Sequence, residues 1–222
     1  MRHAYLHRGG NDRLIVFFAG WGGEPALFDM PRDAGWDCLV CYDYSTLGFD
    51  HTLLEGYREK RLLAWSMGVW AASQTFAGGN AAFSMRMSVA GSETPVDDAR
   101  GIPADIFAGT LANLSPVTLA KFRRRMCGSA DSVRQFLAHD LHRTVDDLRS
   151  ELAAIGGMVA SRPACHIDWD KSIIATRDGI FPPANLRRAW QGTPTVEIDT
   201  CHYDAALFAA LLGGKEEMWT KI

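Results

Sequence analysis

No window of the sequence approaches the roughly 20 consecutive apolar residues needed to span a bilayer. The first ten residues, Met1 to Gly10, hold charge and glycine rather than an apolar run of signal-peptide length. A cytoplasmic protein is therefore expected. A basic excess is also lacking: 23 Lys and Arg stand against 26 Asp and Glu, a formal net charge of −3 with His neutral. Binding along a phosphate backbone needs a positive surplus, so nucleic acid is not an expected partner. There is no repeat and no low-complexity segment, and 47% hydrophobic against 22% charged residues is the balance of a packed chain rather than a disordered one. Cysteine is sparse and odd in number: Cys38, Cys41, Cys127, Cys165 and Cys201 form no disulfide framework. Cys38-x-x-Cys41 has half the ligands of a zinc site, with no second CxxC or HxxxH to complete it. In an apolar run an i, i+3 pair points to opposite faces of a strand, so both read as buried thiols and no metal is expected.

What remains is a chain of 222 residues, enough for one domain with a sizeable insertion or a small second lobe. Continuous apolar runs at 14–18, 38–42 and 61–65 suit strands buried on both faces of a parallel sheet. Residues 2–6 read as a short antiparallel edge, 67–77 as a helix and 83–90 as another strand. From about 98 to 161 the pattern is helical only. Ser115-Pro116 starts a helix that runs to about Met126 and ends at Gly128. A second helix is expected over 130–140. A third follows Thr144 and stops at Gly156-Gly157, near Ile155. Strand signals return at 172–176 and 195–198, with helices from Pro182-Pro183 to Trp190 and from Tyr203 to Leu212. Strand–helix alternation on both sides of a helical block predicts an α/β fold. Its mostly parallel sheet is flanked by helices, with residues 1–97 and 166–222 as core and 98–165 as a helical cap.

The strongest chemical signal is Ala64-Trp65-Ser66-Met67-Gly68, lying between an expected strand and an expected helix. It has the form of a nucleophile elbow with alanine at the first small position. Small residues two before and two after the serine let a strained turn lift its hydroxyl above the sheet and aim a helix N-terminus at a reacting carbonyl. The plainer reading of Ser66 is a helix cap. A serine needs a base, and the base needs an orienting acid. In this fold the chain order is Ser, acid, His. Of the seven histidines only His202 follows the last strand. Asp178 follows the strand before it, with Asp97, Asp98, Asp168 and Asp170 as competitors. Phe18-Ala19-Gly20-Trp21-Gly22-Gly23 fits an oxyanion loop, in which the N–H groups of Trp21 and Met67 would hold the negative oxygen. It lacks the Lys-Ser/Thr ending of a phosphate loop. Trp21, Trp70 and Phe107 are candidate channel walls, although core packing is the plainer role for Trp70. Lys121, Arg123, Arg124 and Arg125 form a basic run, either a solvated helix face or a dock for an acidic macromolecule.

With these residues in view, the chain resembles the BioG-type pimeloyl-[acyl-carrier protein] methyl ester esterases, a branch of the α/β-hydrolase superfamily. The likeness rests on 17–22 (Phe-Phe-Ala-Gly-Trp-Gly), 42–44 (Tyr-Asp-Tyr), 64–71 (Ala-Trp-Ser-Met-Gly-Val-Trp-Ala) and 101–111 (Gly-Ile-Pro-Ala-Asp-Ile-Phe-Ala-Gly-Thr-Leu). It extends to 121–127 (Lys-Phe-Arg-Arg-Arg-Met-Cys) and 181–185 (Phe-Pro-Pro-Ala-Asn), and so covers nearly the whole chain. It implies hydrolysis of the carrier-bound methyl ester to pimeloyl-[acyl-carrier protein] and methanol in biotin synthesis. Ser66, His202 and Asp178 would then be the triad, and the basic run would dock the acidic carrier. No cofactor is implied. One departure is Ala-Gly-Ser-Glu-Thr-Pro at 90–95, which is expected to touch no triad member. The rival readings are a general small-acyl carboxylesterase or thioesterase, and a non-catalytic binding module of the same fold.

Overall fold

A computed structural model of the chain describes residues 1–30, 35–79 and 81–221. The apolar runs become strands: β1 (Arg2–His7), β2 (Arg13–Phe18), β3 (Asp37–Tyr42), β4 (Glu59–Trp65), β5 (Met85–Val89), β6 (Lys171–Ala175) and β7 (Thr195–Ile198). They form one sheet in the order β1-β3-β2-β4-β5-β6-β7. Only β1 runs antiparallel, against β3; every other pairing is parallel. A parallel sheet covered on both faces needs apolar residues on both sides of each strand. That is why Leu14 to Phe18 and Leu39 to Cys41 are unbroken apolar runs with essentially no exposure. Cys38 and Cys41 are both buried, and burial pushes the Cys41 thiol well above the ordinary thiol range.

The helices are α1 (Met67–Phe76), α2 (Ala104–Ala112), α3 (Pro116–Cys127), α4 (Ala130–Leu137), α5 (Val145–Ser161), α6 (Pro183–Ala189) and α7 (Ala205–Leu212). Helices α2 to α5 all lie between β5 and β6. Helix α3 begins with a Ser115 capping box and Pro116 at its first turn, and it stops at a left-handed Gly128. Three expectations about ends are corrected. Helix α5 runs through Gly156-Gly157 to Ser161, because Gly156 serves helix contact: a Cβ there would lie 2.9 Å from the Phe107 ring. Helix α4 ends at Leu137 rather than near 140. Helix α7 starts at Ala205, where the Asp204 carboxylate caps the Leu207 N–H at 3.0 Å.

The far end of the sheet is closed by residues 213–221. Lys171, 5% exposed at the start of β6, donates to the Met218 and Thr220 carbonyls at 2.8 Å each. Arg61 in β4 stacks over Trp36 at 4.1 Å and Trp219 at 5.2 Å and pairs with Glu216 at 2.6 Å. No helix among the described residues is long and apolar enough to cross a membrane.

Candidate active site

Strand β4 ends at Trp65 and α1 begins at Met67, so the turn between them is the single residue Ser66, with φ 59° and ψ −128°. A side-chain-bearing residue in such a conformation costs about 1–3 kcal/mol and persists only where its surroundings enforce it. They do so here by leaving no room. A Cβ on Gly68 would lie 2.3 Å from the Phe18 carbonyl oxygen and 2.4 Å from that of Ala19. One on Gly91 would lie 2.3 Å from the Ser66 carbonyl oxygen, and one on Gly20 3.0 Å from the Ser66 Cβ. Ala64, in register with Phe18 and Ser88, meets the same demand for a small residue. The Gly91 contact corrects the expectation that the 90–95 stretch touches no triad member: it packs directly on the Ser66 backbone. Ser66 makes no side-chain capping bond, so the helix-cap role is not the one it fills.

Its hydroxyl instead stands 3.0 Å from His202 Nε2, and His202 Nδ1 is 2.8 Å from Asp178 Oδ2. With Nδ1–H donating to the carboxylate, Nε2 is left to accept the serine proton. Separate supports hold each partner. The other Asp178 oxygen accepts the Ile180 and Phe181 N–H groups at 2.7 and 2.9 Å. The His202 ring stacks on Phe181 at 5.9 Å with a 4° interplanar angle, and its carbonyl accepts the Trp65 indole N–H at 2.9 Å. The loops that carry acid and base are joined beyond β6 and β7, where Thr176 and Arg177 N–H donate to the Ile198 and Thr200 carbonyls. The competing acids are occupied elsewhere. Asp97 and Asp98 cap local backbone, Asp170 accepts the Arg86 N–H and pairs with Lys221, and Asp168 is exposed.

After β2 the chain turns tightly: Gly23 N–H donates to the Gly20 carbonyl at 2.9 Å, with Gly22 at φ 74°. Among the described residues neither the Trp21 nor the Met67 backbone N–H has an acceptor, so both donors are free for a substrate oxygen. Above Ser66 and His202 opens a narrow pocket walled by Trp21, Phe107, Phe122, Met126, Leu152 and Ile180. Its apolar walls fit an alkyl chain. Trp21 and Phe107 both line the pocket. Trp70 is not among the pocket walls and is buried in the core with the rest of α1, so that expectation is corrected. Arg125 stands at the pocket mouth, and Lys121 joins it along an adjoining groove. Arg124 is exposed beside them. Arg123 faces the other way: it is half-buried over the Phe136 ring at 5.6 Å, and burial lowers its guanidinium below the ordinary value. No cluster of metal-ligating side chains occurs among the described residues.

Beyond the expected residues, the site uses Gly91 and two acids, Glu24 and Glu151, that hold the Trp21 loop to the insertion. The contacts that tie them to the site, Gly91 to Ser66, Glu24 to His142 and Glu151 to Gly22, join stretches too far apart along the chain to be paired by spacing.

Comparison with known proteins gives a consistent family. A family model described as pimeloyl-ACP methyl esterase BioG matches residues 1–212. A protein of Bacteroides fragilis named malonyl-[acyl-carrier protein] O-methyltransferase is 44% identical over 194 residues, which is 86% of this chain and 39% of that relative. The chain thus spans well under half of that relative's length. The crystal structure of BioG from Haemophilus influenzae superposes with a TM-score of 0.89 at 34% identity, covering 99% of this chain and 100% of that one. An enol-lactonase from Burkholderia xenovorans shares the fold at a TM-score of 0.67 and 16% identity, over 98% and 95% of the two chains.

Proposed function

The chain belongs to the BioG family and has the α/β-hydrolase fold, and from this premise we propose that it is a serine carboxylesterase acting on pimeloyl-[acyl-carrier protein] methyl ester. The observation that carries the reading is the Ser66–His202–Asp178 relay, at 3.0 and 2.8 Å, beneath an apolar pocket. Ser66 Oγ attacks the ester carbonyl as His202 Nε2 takes its proton. Asp178 stabilises the imidazolium through Nδ1. The N–H groups of Trp21 and Met67 hold the tetrahedral oxyanion. Methanol leaves with the proton from His202, giving an acyl-enzyme. Water, deprotonated by the same imidazole, then releases the carboxylate and restores the serine. The helical segment 98–165 is the cap over this pocket, and the alkyl chain lies between Phe107 and Trp21. Lys121, Arg124 and Arg125 face the acidic carrier, whereas the inward turn of Arg123 makes it the weakest of the four basic residues as a dock.

The name of the Bacteroides relative belongs to a chain of which the match covers 39%. The matched part, as it folds here, ends a strand in a nucleophile elbow, which supports acyl transfer to water rather than methyl transfer to an acid.

Turnover of the carrier-bound methyl ester by wild type, Ser66→Ala, Asp178→Asn and His202→Ala tests the proposal. Loss of the nucleophile or base is expected to cost on the order of 10⁶ in kcat. Equal turnover by Ser66→Ala, or no labelling of wild type by a serine-directed fluorophosphonate, defeats it. Lys121→Glu and Arg124→Glu together, which leave the pocket lining intact, should raise KM for the carrier-bound ester roughly tenfold and leave a free methyl ester unaffected. An equal effect on both esters would remove carrier docking and leave a general esterase.

A further inference from the structure

One fully buried acid has no part in the chemistry above. Glu151, the seventh residue of α5, is 0% exposed. A charged side chain in the interior is costly unless it is paired and hydrogen-bonded. Its oxygens are fully engaged: Arg143 Nη1 donates at 2.6 Å, the Tyr44 N–H at 2.9 Å and the Gly22 N–H at 3.3 Å. Burial raises its carboxyl above the ordinary value, and the Arg143 guanidinium opposes that rise. Asp43, at 3.7 Å from Arg143, completes the charged set on this face.

The Gly22 N–H lies one peptide unit beyond the Trp21 N–H. The Gly20 carbonyl is taken by Gly23 N–H. Because that peptide unit is planar and trans, the Trp21 N–H on its other side must face away from the turn. The next unit, Trp21–Gly22, is the one Glu151 grips. The Trp21 indole is held by the same helix, its Nε1–H donating to the Leu148 carbonyl at 2.8 Å. Glu24, at the end of the loop, accepts the His142 and Arg143 N–H groups at 2.9 and 3.4 Å. The loop is anchored to the sheet at its start, where the Ala19 N–H donates to the Cys41 carbonyl at 2.9 Å, and from Trp21 onward it is clamped by α5 and the residues just before it.

We propose that Glu151 is a positioning residue for the oxyanion hole: its carboxylate fixes the Trp21–Gly22 peptide so that the Trp21 N–H stands where the developing oxyanion needs it. This rests on the reading of Ser66 as nucleophile and Trp21 as donor. It gives the insertion a second role: besides roofing the pocket, it sets transition-state geometry.

The test uses full-length wild type, Ser66→Ala, Glu151→Gln and Arg143→Gln, with p-nitrophenyl butyrate as ester. An aryl trifluoromethyl ketone, which adds Ser66 and forms an oxyanion, serves as inhibitor. Rates are counted per serine titrated by fluorophosphonate, so unfolded protein drops out. Loss of an oxyanion donor outright costs about 10²–10³, so displacing one in Glu151→Gln should lower kcat by roughly 10–100-fold. KM should stay within threefold, and the ketone's inhibition constant should rise by the same factor as kcat falls. Arg143→Gln should show a smaller loss of the same kind. A kcat within threefold of wild type overturns the proposal, as does a kcat loss with unchanged ketone affinity. If Glu151→Gln yields no folded protein, Arg143→Gln decides on the same two criteria. Absence of Ser66-dependent turnover in wild type is a separate outcome: it defeats the catalytic reading, and the proposal with it.

Discussion

The two halves of the site are held by different means. On the sheet side, Ser66 is fixed by backbone: parallel ladders on both flanks, and glycines at 20, 68 and 91 whose missing Cβ atoms leave room for nothing else. On the insertion side, the Trp21 loop is held by side chains reaching across more than a hundred residues of sequence, from Glu151, Glu24 and the Trp21 indole. Backbone packing does not yield to small changes, because interiors are close-packed and atoms cannot interpenetrate. Side-chain clamps can be removed one at a time. Ser66 should therefore be robust in position and fragile to volume, and the Trp21 loop the reverse.

The sharpest way to break this contrast is Gly68→Ala. The new Cβ meets two backbone carbonyls that cannot step aside. The expected result is a destabilisation of about 4 kcal/mol or more, seen as insoluble protein or a collapsed melting transition. A variant that melts like wild type would show the elbow to be softer than its packing implies. Gly156→Ala tests the insertion side by the same kind of change. Its Cβ would meet the Phe107 ring, a side chain that can turn. The gain in helix propensity, about 1 kcal/mol over glycine, should roughly cancel the cost, so melting should hardly move. Because Phe107 walls the pocket, KM should rise about threefold for long-chain esters relative to acetate, in keeping with the small worth of one methylene in an apolar pocket. A large loss of stability there would erase the distinction between the halves.

The smallest expected effect lies outside both. His166 Nδ1 is 2.6 Å from Glu93, a carboxylate that also receives the Ser73 hydroxyl and the Trp169 indole. Donating a hydrogen bond to the Glu93 carboxylate raises the His166 pKa above its ordinary 6.5. A raised histidine value means stability that is full below about pH 6.5 and is lost as pH rises through the folded-state value. Because the ring is mostly exposed, His166→Asn should lower the melting temperature only slightly at pH 5.5 and not at all at pH 9. A deficit that grew with pH would contradict the sign.

Much of the sheet and all three members of the candidate triad were legible in the sequence. A strand buried on both faces has to be apolar throughout, and 14–18 and 38–42 are. A nucleophile elbow has to be flanked by small residues, and Ala64 and Gly68 are. Acid and base could be placed because the fold orders the strands after which they stand. Illegible were features set by contact across the chain. Gly156-Gly157 has the form of a helix stop, and only the Phe107 ring against it explains why α5 continues. Trp70 has the size and position of a pocket wall in sequence, but α1 is buried on most of its surface. Arg123 shares a run with Arg124 and Arg125, but helical rotation turns it onto Phe136. Glu151 has only Arg143 nearby in sequence, since the two backbone N–H groups it holds lie 107 and 129 residues away.

The two cations at the far end of the sheet have a consequence of their own. Lys171 and Arg61 are sealed from water by the carbonyls, carboxylate and indole of residues 213–221. Those nine residues work as a cork. Were they peeled back by a protease or a strained fusion, two positive charges would face solvent at the foot of strands β4 and β6, which lead to Ser66 and Asp178 at their opposite ends. Damage at the floor of the molecule would then be felt at its roof.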